Sequence, residues 1–204
     1  MIMRVLILSI LMLFTVSSAE AEVFVWNDHE TGLSLSYPDS WRRQVQLRED
    51  ERLRIMQPQG HDFAQCALYT MDQTDPLLDN AAVVDYFNNR GVLDAVITKR
   101  TDNAGFGQTA AVYSEVNHSL SWAGQRWPMQ AMVFDTISDG VRYSLVCSAV
   151  AGRLQRYRAF FLGIASSVDL QPVGHPLPYG LYRDFMREHV YLTNDLRESA
   201  VHKY

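Results

Sequence analysis

The sequence predicts an α+β domain, an antiparallel sheet with helices packed on its faces. Three observations predict it. Apolar and polar residues alternate in short runs between residues 33 and 70, and again between 108 and 150, which is the period of half-buried strands. The period lengthens to three and four residues over 79–90 and 152–168, the spacing of a helix with one buried face. The order is therefore meander, helix, meander, helix, which makes neighbouring strands antiparallel and leaves the helices to cover the sheet.

The elements follow in order. Val23-Phe24-Val25-Trp26 is a short β-prone run, and Asn27 to Gly32 breaks it with turn residues. Leu33-Ser34-Leu35-Ser36-Tyr37 alternates strictly, as a half-buried strand does, and Pro38-Asp39-Ser40-Trp41 ends it. Val45 and Leu47 mark the next strand, with Arg42, Arg43, Gln44 and Gln46 as its polar partners. Glu49-Asp50-Glu51 reads as a charged, solvated turn, and Leu53 and Ile55 continue the meander. Gly60-His61-Asp62 reads as an exposed turn before a strand from Ala64 to Thr70.

Asp79 or Asn80 can cap a helix running to Arg90, with Val83, Val84 and Phe87 on one face and Gly91 beyond its end. Gly91 to Arg100 fits a second helix or a strand. Gln108 to Leu120 carries Ala110, Val112, Ser114 and Val116 on one side. Arg126 to Ile137 and Val141 to Val150 follow, joined by the hairpin turn Ser138-Asp139-Gly140. Gly152 to Val168 is helical, with Leu154, Tyr157, Phe161, Ile164 and Val168 recurring on one face.

Composition narrows the class. The 204 residues are 48% hydrophobic and 20% charged, ordinary for a folded domain, and the formal charge of -5 gives no basic footprint for nucleic acid. Residues 1–21 read as a signal peptide: Met1 to Arg4, the apolar run Val5 to Val16, and cleavage after Ala19 or Ala21. That run is about 12 residues, short of the ~20 that span a bilayer, so no stable membrane anchor is expected after cleavage. The expected location is periplasmic or secreted. There, Cys66 and Cys147 most simply form one disulfide closing a loop of about 80 residues; the alternative is two buried thiols.

Two stretches carry a family resemblance. Gly32-Leu33-Ser34-Leu35-Ser36-Tyr37-Pro38-Asp39-Ser40-Trp41 resembles the opening motif of the PsbP-like superfamily. Arg142 to Ala149, with the helix through Phe160-Phe161 and Ile164 to Ser167, resembles its last strand and closing helix. The resemblance implies an α/β/α sandwich over residues 22–168, within a superfamily whose members mostly bind or support protein assemblies without catalysis. Tyr37, Pro38 and Trp41 are read as structural: proline ends a strand and tryptophan plugs the core end.

Residues 169–204 depart from that pattern. Asp169 to Pro178 is a proline-containing linker. Tyr179 to Leu192 fits an amphipathic helix whose Tyr182, Phe185 and Met186 either pack back on the domain or offer an apolar face to a partner.

No catalytic constellation is visible. There is no Gly-x-Ser-x-Gly elbow, P-loop or dinucleotide fingerprint, and Gly105-Phe106-Gly107 reads as a turn. No two of the six histidines have metal-pair spacing, and His118 reads as a surface residue at a strand end. No metal or cofactor is expected. Trp122, Arg126 and Trp127 around one loop form a candidate binding patch, and cross-strand aromatic packing explains the tryptophans equally well. The expected function is an exported, non-catalytic protein that binds or supports an envelope protein assembly. The alternative is a periplasmic small-ligand-binding protein with its pocket near Trp122 and Trp127.

Overall fold

The structure is a computed structural model that describes residues 22–28, 31–45, 48–58, 60–72, 80–88, 92, 94–122 and 124–170. The segment read as a signal peptide and the extension from residue 171 onward lie outside the described residues.

Strands β1 (Val23–Asn27) and β2 (Ser34–Pro38) form a separate antiparallel hairpin. Strands β3 (Arg42–Arg43), β4 (Glu51–Met56), β5 (Gln65–Asp72), β6 (Val96–Phe106), β7 (Thr109–Trp122), β8 (Gln125–Ser138) and β9 (Val141–Val150) form one sheet, in the order β3-β4-β5-β9-β8-β7-β6. Helix α1 (Asn80–Asn88) lies between β5 and β6 in sequence, and α2 (Leu154–Ser166) follows β9. The two meanders meet where β5 pairs antiparallel with β9.

The sheet separates two cores. On one face Leu53, Ile55, Leu68, Phe106, Tyr113, Phe134 and Leu145 pack with Phe161 and Ile164 of α2 and with Leu33 and Leu35 of the hairpin. On the other face Ala67, Tyr69, Val116, Ala131, Val133 and Val146 pack with Val83 and Phe87 of α1. Helix on each face of one antiparallel sheet is the α/β/α arrangement. The cystine Cys66–Cys147 joins directly opposed residues of β5 and β9.

Several local expectations change. β2 is buried along its whole length rather than on one face, because it is not an edge. It pairs with β1 on one side; on the other it exchanges backbone hydrogen bonds with Asp169 at Ser34, and the Ser36 N–H donates to Ser167 Oγ at 2.9 Å. The strand placed on Val45 and Leu47 is only the two-residue β3; Val45 is 82% exposed, and Leu47 lies outside the described residues. Glu51 opens β4 instead of closing a solvated turn. It is 1% exposed, and Arg54 holds it through Nε at 2.9 Å and Nη2 at 2.6 Å.

The open choice at Gly91 to Arg100 resolves as the start of β6, where β-branched Val96 and Ile97 pair with Asn117 and Val116. Ala110 is exposed and Val112 half-buried, so of the side predicted for β7 only Ser114 and Val116 are buried; Ala111 and Tyr113 fill the larger core instead. Phe106 is a fully buried strand residue rather than part of a turn.

Gly107 makes the turn. Its φ is +55°, its N–H donates to the Ala165 carbonyl at 2.9 Å, and a Cβ there would meet the Val168 carbonyl oxygen at 1.6 Å. Gly107→Ala is therefore expected to destabilise the protein by at least about 2 kcal/mol, through both backbone strain and a clash with main chain that cannot rotate away. Thermal unfolding checks it; a change within error would show that the α2 C-terminus shifts freely.

Candidate functional site

The longest strands build the site. β6 stops pairing with β7 at Val96↔Asn117, and β9 stops pairing with β8 at Val150↔Met129. Beyond those points β7 and β8 continue in unbroken register to Trp122↔Gln125, closed by a turn in which Gly124 has φ +75°. Residues 118–122 and 125–128 therefore form a two-stranded tongue that runs past the ends of both neighbouring strands.

The tongue carries three of the candidate residues. Arg126 is exposed and ion-paired with Asp94, the residue two before β6. Trp127 stands opposite Leu120, not opposite Trp122, and its ring meets Phe63 edge-on at 5.6 Å. The described partner of Trp127 is thus a loop aromatic rather than a cross-strand tryptophan. Trp122 closes the register at Gln125, and its side chain lies outside the described residues. Tyr182, Phe185 and Met186 also lie outside them.

His118 was legible as a residue but not as a site. It lies inside β7 rather than at a strand end on the surface, opposite Met129, with its ring 5.1 Å from Phe87 of α1. Both ring nitrogens are buried and make no well-formed hydrogen bond among the described residues, and neither does Trp127 Nε1. Burial pushes the imidazole down to about 4, and a backbone contact at Ser119 only partly opposes it. His118 is therefore neutral in the folded state at neutral pH. The unfolded chain binds a proton near the ordinary value of 6.5, so stability falls as pH drops from 6.5 towards 4 and is flat below that. His118→Phe is expected to remove up to about 3 kcal/mol of acid sensitivity in that window. Urea unfolding at several pH values checks it; parallel profiles for both proteins would disprove it.

No protein-family model matches the chain, and no curated protein matches it by sequence. Solved structures do match. The PsbP of the cyanobacterium Synechocystis sp. PCC 6803 is similar over 76% of this chain and 96% of its own, with 14% identity and a TM-score of 0.53. A mutant of the protein Mog1 is similar over 74% of this chain and 97% of its own, with 6% identity and a TM-score of 0.51. The Ran-binding protein Mog1p of Saccharomyces cerevisiae covers 74% of this chain and 96% of its own, with 5% identity and a TM-score of 0.49. The chain has the PsbP-like fold.

Of the opening motif that carried the PsbP-like resemblance, Leu33 to Pro38 and Trp41 are buried, whereas Asp39 and Ser40 are exposed. Tyr37 and Trp41 are buried, and Trp41 meets Phe161 of α2 edge-on at 6.0 Å. The remaining polar clusters of the PsbP-like domain tie elements together. Tyr113 donates to Glu115 Oε1 at 2.6 Å, and Arg158 of α2 donates to the same oxygen at 2.9 Å. Burial pushes the Glu115 carboxyl up, but these bonds and the Arg158 and Lys99 charges outweigh it and hold it below the usual carboxylate range.

Asp62 is not the solvated turn residue its sequence suggests. It accepts the Tyr157 hydroxyl proton at 2.9 Å and faces Arg153 and Arg156, so it pins the turn to the start of α2. Among the described residues no group of three or more His, Cys, Asp or Glu could hold a metal ion, and no helix is long and apolar enough to cross a membrane.

Proposed function

We propose that this is an exported, non-catalytic protein that binds and supports a protein assembly in the cell envelope. The observation that carries the reading is the β7–β8 tongue. It projects past its neighbours, presents an exposed arginine beside a half-buried tryptophan, and among the described residues is flanked by no third strand. Arginine and tryptophan are enriched at the centres of protein interfaces, and a projecting ribbon can offer them without reorganising the sheet. The cystine supports an oxidising compartment, as does the signal-peptide pattern of residues 1–21. Trp122 belongs to the same contact surface, and Tyr182, Phe185 and Met186 form a second one.

Cross-linking in the native envelope tests the reading. The full-length protein is expected to capture one reproducible partner. Capture should fall at least about tenfold for Arg126→Ser combined with Trp127→Ser, since truncated interface anchors commonly cost more than 1 kcal/mol each. An unchanged melting temperature must accompany the loss. Equal capture by both proteins, or no reproducible partner for either, would refute the assignment of the tongue.

A further inference from the structure

β1 is the open edge of the hairpin: β2 pairs with it on one side, and among the described residues no strand lies on the other. Two backbone bonds fix the phase of this ladder. The Asp39 N–H donates to the Glu22 carbonyl at 3.0 Å, and the Asp28 N–H donates to the Leu33 carbonyl at 2.8 Å. Glu22, Phe24, Trp26 and Asp28 therefore turn their backbone groups towards β2, and Val23, Val25 and Asn27 turn theirs outward. Such an edge pairs with other chains unless charge, proline, bulges or short length guard it. Both edges of the seven-stranded sheet are guarded. β3 is two residues long and both are arginine, and β6 carries Lys99, Arg100 and Asp102 and has two register shifts.

β1 has none of these devices. Its sequence, Val23-Phe24-Val25-Trp26-Asn27, contains no charge and no proline. Phe24 is 55% exposed and its neighbour Val25 41%, so the edge presents apolar side chains as well as backbone groups. One end of the edge is acidic. Glu22 and Asp39 are both exposed there, joined through their main chains. By strand alternation Glu22 lies on the same face as Phe24. A strand laid along β1 would therefore cover Phe24 and Val25 and bring one of its own side chains beside two carboxylates.

We propose that β1 is a docking edge for an extended segment of a protein partner, rich in β-branched residues and closed by a lysine or arginine. The segment pairs antiparallel to β1, as β2 does on the other side. The N–H and C=O groups of Val23, Val25 and Asn27 hold its backbone, and its β-branched side chains cover Phe24 and Val25. Its cation sits against Glu22 and Asp39, which fixes the direction of the segment and rejects an acidic one. A second copy of β1 fits this edge less well, because Val23 to Asp28 contains no cation to meet those carboxylates. Docking at β1 is independent of the tongue: Arg126→Ser with Trp127→Ser leaves this edge untouched, so a loss of envelope capture by that variant and a loss of binding at β1 are separate results.

The probe is acetyl-Thr-Val-Thr-Val-Thr-Lys-amide, titrated into the full-length protein and followed by NMR. It is expected to bind saturably and to slow hydrogen exchange at the outward amides of Val25 and Asn27. Glutamate in place of its lysine should weaken binding at least about fivefold, because an attraction at two carboxylates becomes a repulsion. N-methylation of the central threonine, whose N–H faces β1, should weaken it at least about fivefold, whereas N-methylation of the second valine, whose N–H faces away, should change it less than about twofold. Val25→Pro removes an N–H that β2 does not use and should abolish binding with little change in melting temperature. If that variant melts early, Phe24→Lys decides, since it keeps every backbone N–H and should reverse the preference for lysine over glutamate. Absence of saturable binding, or equal binding by the two peptides of opposite charge, would overturn the proposal. So would a Val25 amide already protected in the free protein. Protection that fades on dilution would assign the edge to a second copy, and protection that does not would assign it to the protein's own C-terminal segment.

Discussion

Asp135→Ala is expected to destabilise the protein by about 3–5 kcal/mol, the cost of removing one partner of a buried ion pair. Asp135 lies on β8 with no exposed surface. Its Oδ1 accepts from Arg142 Nε at 3.1 Å, from Arg142 Nη2 at 2.9 Å and from the Ser144 hydroxyl. Arg142 is only 5% exposed, so the alanine variant would take from a buried guanidinium a carboxylate to which it donates twice. Both residues lie on the face that α1 covers, within neighbouring strands paired Asp135↔Ser144.

The expected remedy distinguishes this cause from simple loss of volume. Replacing both members, Asp135→Leu with Arg142→Leu, should recover much of the lost stability, because well-packed apolar pairs often match or exceed a buried ion pair. Urea unfolding of the three proteins makes the comparison. If Asp135→Ala costs less than about 1 kcal/mol, water reaches Arg142 and the pair is not a closed unit.

Nothing in the local sequence marks that pair. Asp135 stands in an apolar run, Met132-Val133-Phe134, and Arg142 follows a hairpin turn, where a charge is ordinary. Only the register between β8 and β9 brings them together, and register is a tertiary fact. Distance along the chain likewise hid Asp62, which sits in a turn-like string of polar residues and is claimed by Tyr157, 95 positions later; Glu51 is claimed by Arg54, three positions later, beside a register shift in β4 that alternation alone does not show. By contrast, α2 was legible because Leu154, Tyr157, Phe161 and Ile164 recur at helical spacing, and all four are buried. β8 and β9 were legible because Ser138-Asp139-Gly140 is a hairpin turn, and Asp139 and Gly140 do take positive φ.

The site was half legible. Arg126 and Trp127 stood out by residue type, and the structure places both on the projecting tongue. His118 did not stand out, because a histidine among Asn117, Ser119 and polar strand residues looks solvated. What buries it is Phe87, thirty-one positions earlier, arriving on α1. Periodicity could show that Phe87 was on an apolar face; it could not show which side chain that face would cover.

Loss of the cystine is the second large expected effect. Cys66→Ala with Cys147→Ala should lower stability by roughly 4 kcal/mol or somewhat less, since a cross-link with a sequence separation of 81 strongly restricts the unfolded chain. The position matters as well as the loop length. Cys66 and Cys147 face each other across β5 and β9, the one pairing that joins the first meander to the second within the seven-stranded sheet. A domain of this size has a total stability of only about 5–15 kcal/mol, so the loss would be a large part of it. Guanidinium unfolding of the oxidised protein, the reduced protein and the double variant measures the effect. Comparable losses for the reduced protein and the double variant would place the stabilisation in the cross-link itself. If reduction costs less than about 1 kcal/mol while the double variant costs several, the two side chains matter as packing in the core rather than as a link. In the first case the protein would depend on an oxidising compartment for a large part of its margin, as a protein kept in a reducing compartment could not.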